Sequence, residues 1–118
     1  MMQRPAVLLI SCLALAGAAS AAEPPPDGAR LYQLNCQLCH GPEGKAVPGF
    51  AKKGAPNLND PAWQKTKTDD EIKKTIEKGS AAKGSAPKVM RSFKDDLNPE
   101  QIAAIVKYVR TLPPAAAQ

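Results

Sequence analysis

Cys36-Gln37-Leu38-Cys39-His40 decides how this chain is read, because Cys-x-x-Cys-His is the attachment signature of a c-type haem. On a helix, residues three and four apart share a face, so Cys36, Cys39 and His40 can address one flat object together. Two thiols can then form thioethers with porphyrin vinyl groups while His40 ligates iron from the same side. Other chemistries use similar residues. A structural zinc site needs about four Cys or His ligands, and beyond the leader the chain offers only Cys36, Cys39 and His40. A thioredoxin-like redox pair calls for a βαβ context that is not visible. A plain disulfide or an inert pair stays open beside haem attachment.

Upstream of the motif, residues 1–22 read as a cleaved secretory leader. Met1 to Arg4 is short and positive, Ala6 to Ala16 is almost wholly apolar, and Ala19-Ser20-Ala21 or Ser20-Ala21-Ala22 supplies the small-residue cleavage site. The run is too short for a transmembrane span. An uncleaved anchor, or a lipid anchor at Cys12, is the minor alternative. The leader predicts export, to the periplasm or beyond, with no membrane span after cleavage.

Without the leader about 96 residues remain, the length of one domain. One Trp, two Tyr and two Phe leave few large apolar groups for a core of that size. A buried porphyrin would supply the missing apolar surface. Loss of Arg4 leaves 15 basic against 11 acidic side chains, a formal charge of +4 that suits acidic partners.

Downstream of the leader, residues 23–26 read as a Pro-rich entry segment, residues 27–112 as the folded domain and residues 113–118 as a disordered tail. Asp27 caps a helix expected to run to about Cys39, with Gly28, Leu31, Tyr32, Leu34 and Leu38 available for its inner side. Residues 41–59 read as a loop with a short turn near Pro48 to Lys52. Thr68-Asp69-Asp70-Glu71 is a capping box that opens a helix ending at Lys78, with Gly79 as its stop and Ile72 and Ile76 as its inner stripe. Residues 80–96 read as a second loop. Asn98, Pro99 and Gln101 then open a helix whose Ile102, Ile105, Val106, Val109 and Leu112 share one face, with Leu97 placed to staple to Ile102. No strand pattern is visible.

Three helices, two long loops and a motif near the start resemble the class I c-type cytochromes, small soluble monohaem proteins of bacterial type. The resemblance covers nearly all of the mature sequence. Gly28-x-x-x-Tyr32 ahead of Cys36 and Ile105-Val106-Lys107-Tyr108 match the family's first and last helices, which cross closely at the Gly. It implies an all-α cytochrome c fold around one covalently attached haem c, bound through Cys36 and Cys39. Gly54-Ala55-Pro56-Asn57-Leu58 is similar to the loop in which a Pro carbonyl accepts a hydrogen bond from the proximal His ring, which implies that Pro56 orients His40. The run from Pro56 to Trp63 looks closest to bacterial cytochromes and to haem domains attached to terminal oxidases.

The second axial ligand follows by elimination. His40 is the only His, Met1 and Met2 leave with the leader, and Met90 remains as the only thioether. It lies where the family keeps its axial Met, although Arg91 replaces the usual Pro in Met90-Arg91-Ser92-Phe93. Met90 as a core residue, with the iron open or bound by Lys83 or Lys88, is the alternative. Axial His40 and Met90 imply a non-enzymatic carrier of single electrons between redox protein partners, with no nucleic acid or small-molecule substrate. A haem subunit dedicated to a dehydrogenase or terminal oxidase, and an open-site peroxidase or gas sensor, are the other readings. Lys45, Lys52, Lys53, Lys83, Lys88, Arg91 and Lys94 fall in the two loops and predict a positive rim for an acidic partner.

Overall fold

The computed structural model describes Gly17, residues 23–81 and residues 88–115. The rest of the leader, including Cys12, lies outside the described residues, as do Lys83 and residues 116–118. Two helices frame the domain. The first, α1 (Gly28–Asn35), is capped by Asp27, whose side chain accepts from Arg30 N at 3.2 Å. The longest, α6 (Pro99–Arg110), opens on the expected capping box: Asn98 and Gln101 exchange backbone-to-side-chain bonds at 2.9 Å in both directions.

These helices meet where the sequence places its small residue. A Cβ added to Gly28 would lie 2.2 Å from the Ala104 carbonyl oxygen in α6, so only a bare backbone permits the approach. One turn on, the Tyr32 and Tyr108 rings pack at 5.2 Å between centroids, tilted by 56°. Gly28→Ala is expected to destabilise the haem-loaded protein by about 2 kcal/mol, the cost of overpacking a rigid contact. A urea titration checks this, and an unchanged midpoint would contradict the crossing.

Between them, α3 (Pro48–Ala51) is the anticipated single turn. The next helix, α4 (Pro61–Thr66), was not anticipated, although its Asp60 cap and Pro61 at the first turn are legible signals. Helix α5 (Asp69–Lys78) runs as predicted, with both halves of the Thr68–Glu71 box formed, Ile72 and Ile76 buried and Gly79 at a φ of 72°. Those box bonds from Thr68 hold the Glu71 carboxyl below its ordinary pKa.

Four expectations need correction. The first helix does not run unbroken to Cys39: it stops at Asn35, Cys36 takes φ −115° and ψ −35°, and α2 (Gln37–His40) follows. Leu34 and Leu38 are not inward; they are 63% and 80% exposed, because Tyr32 and Cys36 occupy the face toward α6 and the core. The loop from Ser80 to Asp96 contains strands, β1 (Ser80–Ala81) and β2 (Lys88–Met90), paired antiparallel with Ser80 opposite Met90 and an irregularity after it. Finally, the tail beyond Leu112 is tied at Ala115, whose N–H donates to Asn59 O at 2.9 Å.

The core joins Tyr32, Ile72, Ile76, Phe93, Leu97 and the inner face of α6, with Cys36 and Leu58 at its border. Leu97 and Ile102 are both buried within it, as the staple requires. A polar clamp closes the other side of α6. Arg110 reaches Asp69 Oδ1, Gln64 O and Gln64 Oε1, each at 2.7 Å, and also donates to Lys67 O. Gln64 in turn donates to Leu58 O at 2.7 Å and Val109 O at 3.0 Å.

Candidate functional site

The site grows from the break at Cys36. Helical bonds continue across it, from Cys36 N to Tyr32 O at 2.8 Å and from His40 N to Cys36 O at 2.9 Å, so α2 stays attached to α1 with a changed direction. Burial then sorts the motif. Cys36 is buried, Cys39 and His40 are partly buried, and Leu38 faces solvent, which leaves the three chemistry-bearing residues on the inner side.

Beyond His40 the chain must turn at once. Gly41 does so at a φ of 72°, in a position where a Cβ would meet the Lys45 carbonyl oxygen at 2.2 Å. The Tyr32 hydroxyl donates to Gly41 O at 2.7 Å and fixes the end of the motif to α1. Burial raises the hydroxyl's pKa, with the Cys36 and Tyr108 groups adding to it, so Tyr32 remains a donor.

Three bonds stitch residues 41–47 to their surroundings: Val47 N to Cys39 O at 3.0 Å, Ala46 N to Asn57 Oδ1 at 2.9 Å and Leu58 N to Gly44 O at 2.7 Å. Two of the residues so held, Asn57 and Leu58, directly follow Pro56 in the chain. The Pro56 carbonyl is thereby brought beside the His40 ring. Burial pushes the His40 pKa below the ordinary imidazole value, and the Pro56 carbonyl offsets part of that. The ring is consequently neutral at pH 7, with a lone pair to offer a metal. His40 Nδ1 is buried and has no partner within hydrogen-bonding geometry.

Cys36 and Cys39 are free thiols. Burial, with Cys39 beside it, pushes the Cys36 thiol up to about 11. A nucleophilic redox pair requires the reverse, a depressed thiol pKa. Among the described residues no three His, Cys, Asp or Glu side chains converge as a metal-ion site. The donor set of two free thiols, one neutral imidazole with an orphaned buried nitrogen and a nearby carbonyl fits a covalently tethered haem.

Met90 ends β2 and packs, partly buried, against the core cluster. Its backbone is seated on the C-terminal end of α5, where a Cβ on Gly79 would lie 2.2 Å from Met90 O. Gly79 was legible as a helix stop only. Its second task, making room for the Met90 segment, depends on a pairing eleven residues away that no local pattern announces. Asn57, whose side chain holds Ala46, was also missed, since its neighbour Pro56 carried the resemblance.

The cytochrome c family model matches residues 26–113. The chain is 34% identical over 85 residues to the cbb3-type cytochrome c oxidase subunit FixP of Bradyrhizobium sp. (strain ORS 278), covering 72% of this chain and 26% of that subunit. It is 35% identical over 97 residues to FixP of Sinorhizobium medicae (strain WSM419), covering 77% and 31%. The chain thus spans about a quarter to a third of the length of these relatives. Among solved structures, the KustC0563 c-type cytochrome superposes with a TM-score of 0.65 at 33% identity, covering 74% of this chain and 98% of that one. Helices crossing at Gly28, a Cys-x-x-Cys-His turn on their inner side and these matches together make the chain a member of the cytochrome c family, with covalently bound haem c as its cofactor.

Proposed function

We propose that this protein is an exported single-electron carrier in which Cys36 and Cys39 tether the haem and His40 and Met90 are its axial ligands. The observation that carries the reading is the buried, partnerless Nδ1 of His40 beside the Pro56 carbonyl, on the turn that also presents two free thiols. Bound there, haem supplies a one-electron iron couple. His40 gives the iron a neutral nitrogen, and the Pro56 carbonyl orients the ring and makes it more basic. Met90 closes the other axial position with a soft thioether, which favours the ferrous state and keeps exogenous ligands out.

The three carboxylates that open α5 are otherwise engaged, which supports a carrier over an enzyme. Glu71 closes a capping box, Asp69 pairs with Arg110 at 2.7 Å and Asp70 with Lys74 at 3.4 Å. For partners, Lys45, Lys52, Lys53 and Lys94 stand exposed as a basic rim. Arg91 contributes less to it than its charge implies, since it is paired with Asp96. The leader directs the chain to the periplasm, and no described helix is long and apolar enough to cross a membrane.

A spectroelectrochemical titration of the exported protein tests this function. It is expected to give one reversible step of one electron per chain, with an iron–thioether band near the red edge in the ferric form. A multi-step or irreversible titration would count against it. A second reading, a haem domain committed to a terminal oxidase, is favoured by the similarity to FixP subunits. It predicts a stable one-to-one complex on gel filtration, where a shuttle elutes alone.

A further inference from the structure

Arg91 stands where cytochromes of this type carry Pro after the axial Met, and the structure shows what the substitution brings with it. The Arg91 guanidinium lies 4.1 Å from the centroid of the Phe93 ring and 2.6 Å from Asp96 Oδ2. Phe93 is buried in the core, and its N–H donates to Ile76 O at 3.0 Å, on the last turn of α5. Ser92 Oγ donates to Glu77 O on the same turn. Immediately before these residues, Met90 O sits in the space left by the absent side chain of Gly79. The segment 90–93 is therefore fastened to α5 before and after Arg91, whose own carbonyl also borders the Gly79 position.

We propose that Arg91 is a positioning residue for Met90: its stack on Phe93 and its pairing with Asp96 hold the backbone after Met90 as a Pro ring would. The proposal rests on Met90 being the iron's ligand. A thioether can leave the iron only if the chain beside it swings away, and rotation at residue 91 requires the guanidinium to come off both partners. Pro achieves the restriction by fixing φ. Met90 lies in extended backbone, the conformation that a following Pro demands, so the residue before position 91 already meets what a Pro there requires. An exposed ion pair is worth about threefold in an equilibrium, and a cation stacked on an aromatic face a similar factor, so multiplied together they bias Met90 toward the iron about tenfold. Lys cannot replace Arg here, because the planar fork serves the ring and the carboxylate at once.

Cyanide binding to the ferric, haem-loaded protein reads this bias, since the apparent affinity scales with the fraction of iron from which the thioether has dissociated. Arg91→Ala and Arg91→Lys are expected to bind cyanide about tenfold and severalfold more tightly than the parent, and Arg91→Pro as weakly as the parent or more so. Raising salt should tighten cyanide binding in the parent more than in Arg91→Ala, because only the parent has an ion pair to screen. Arg91→Ala within twofold of the parent overturns the proposal, as does failure of Arg91→Pro to restore weak binding. Met90→Ala is the control: if it too binds cyanide like the parent, Met90 is not the ligand, and the assignment beneath the proposal fails first.

Discussion

A Cys36→Ser, Cys39→Ser double variant is expected to carry no haem that survives acid-acetone extraction or denaturing electrophoresis, and to lose its cooperative fold. The first half follows from the chemistry of attachment, since a hydroxyl does not form the thioether that a thiol does. The second follows from the core. Tyr32 and Phe93 are the only buried aromatics in the described core, with Trp63 and Tyr108 packed at its edge, so much of the apolar volume must come from the cofactor. Each Ser adds a hydroxyl, and the one at buried Cys36 costs about 1–3 kcal/mol if unpartnered. Circular dichroism of the purified variant should show lost helix beside an absent haem stain. Covalent haem retained in the double variant would refute the attachment site.

Met90→Ala should change the iron without removing it. The ferric band of iron–thioether bonding is expected to vanish, cyanide to bind faster by orders of magnitude, and the reduction potential to fall by on the order of 0.2 V, within the roughly 0.8 V over which axial ligands set haem potentials. The potential falls because water or an amine favours ferric iron more than a thioether does. Protein film voltammetry and ferric spectra measure both effects. A variant with the parent's spectrum and potential would show that Met90 serves only the core it packs against, and would revive the open-site reading.

The legible parts of this molecule are those whose causes are local. Thr68 with Glu71, and Asn98 with Gln101, each close a box within four residues, so both helix starts were readable from spacing. Cys36, Cys39 and His40 were readable because the whole motif lies within five consecutive residues. Elements fixed by partners far along the chain were not. The β1–β2 pair is two and three residues long, too short to show alternation, and its register rests on tertiary seating of Met90 against Gly79. Leu34 and Leu38 misled because apolar character alone does not choose a face; the orientation of α1 is set by Gly28 and Tyr32 against α6. The Arg110–Gln64 clamp joins residues 46 apart, and nothing near either position declares it.

The crossing of α1 on α6 bears on how the molecule reaches its native state. Tyr32 and Tyr108 are 76 positions apart, and bringing them together costs on the order of 4 kcal/mol of chain entropy on a (3/2)RT ln n scale before any contact rewards it. Contacts of such separation slow folding. Between those two rings lie both segments that hold the proposed ligands, His40 just after the first and Met90 well before the second. Neither segment is enclosed until the ring of chain shuts, and both are released when it opens. The two ends of the iron's coordination are thereby placed in one cooperative unit, which lets them form and fail together.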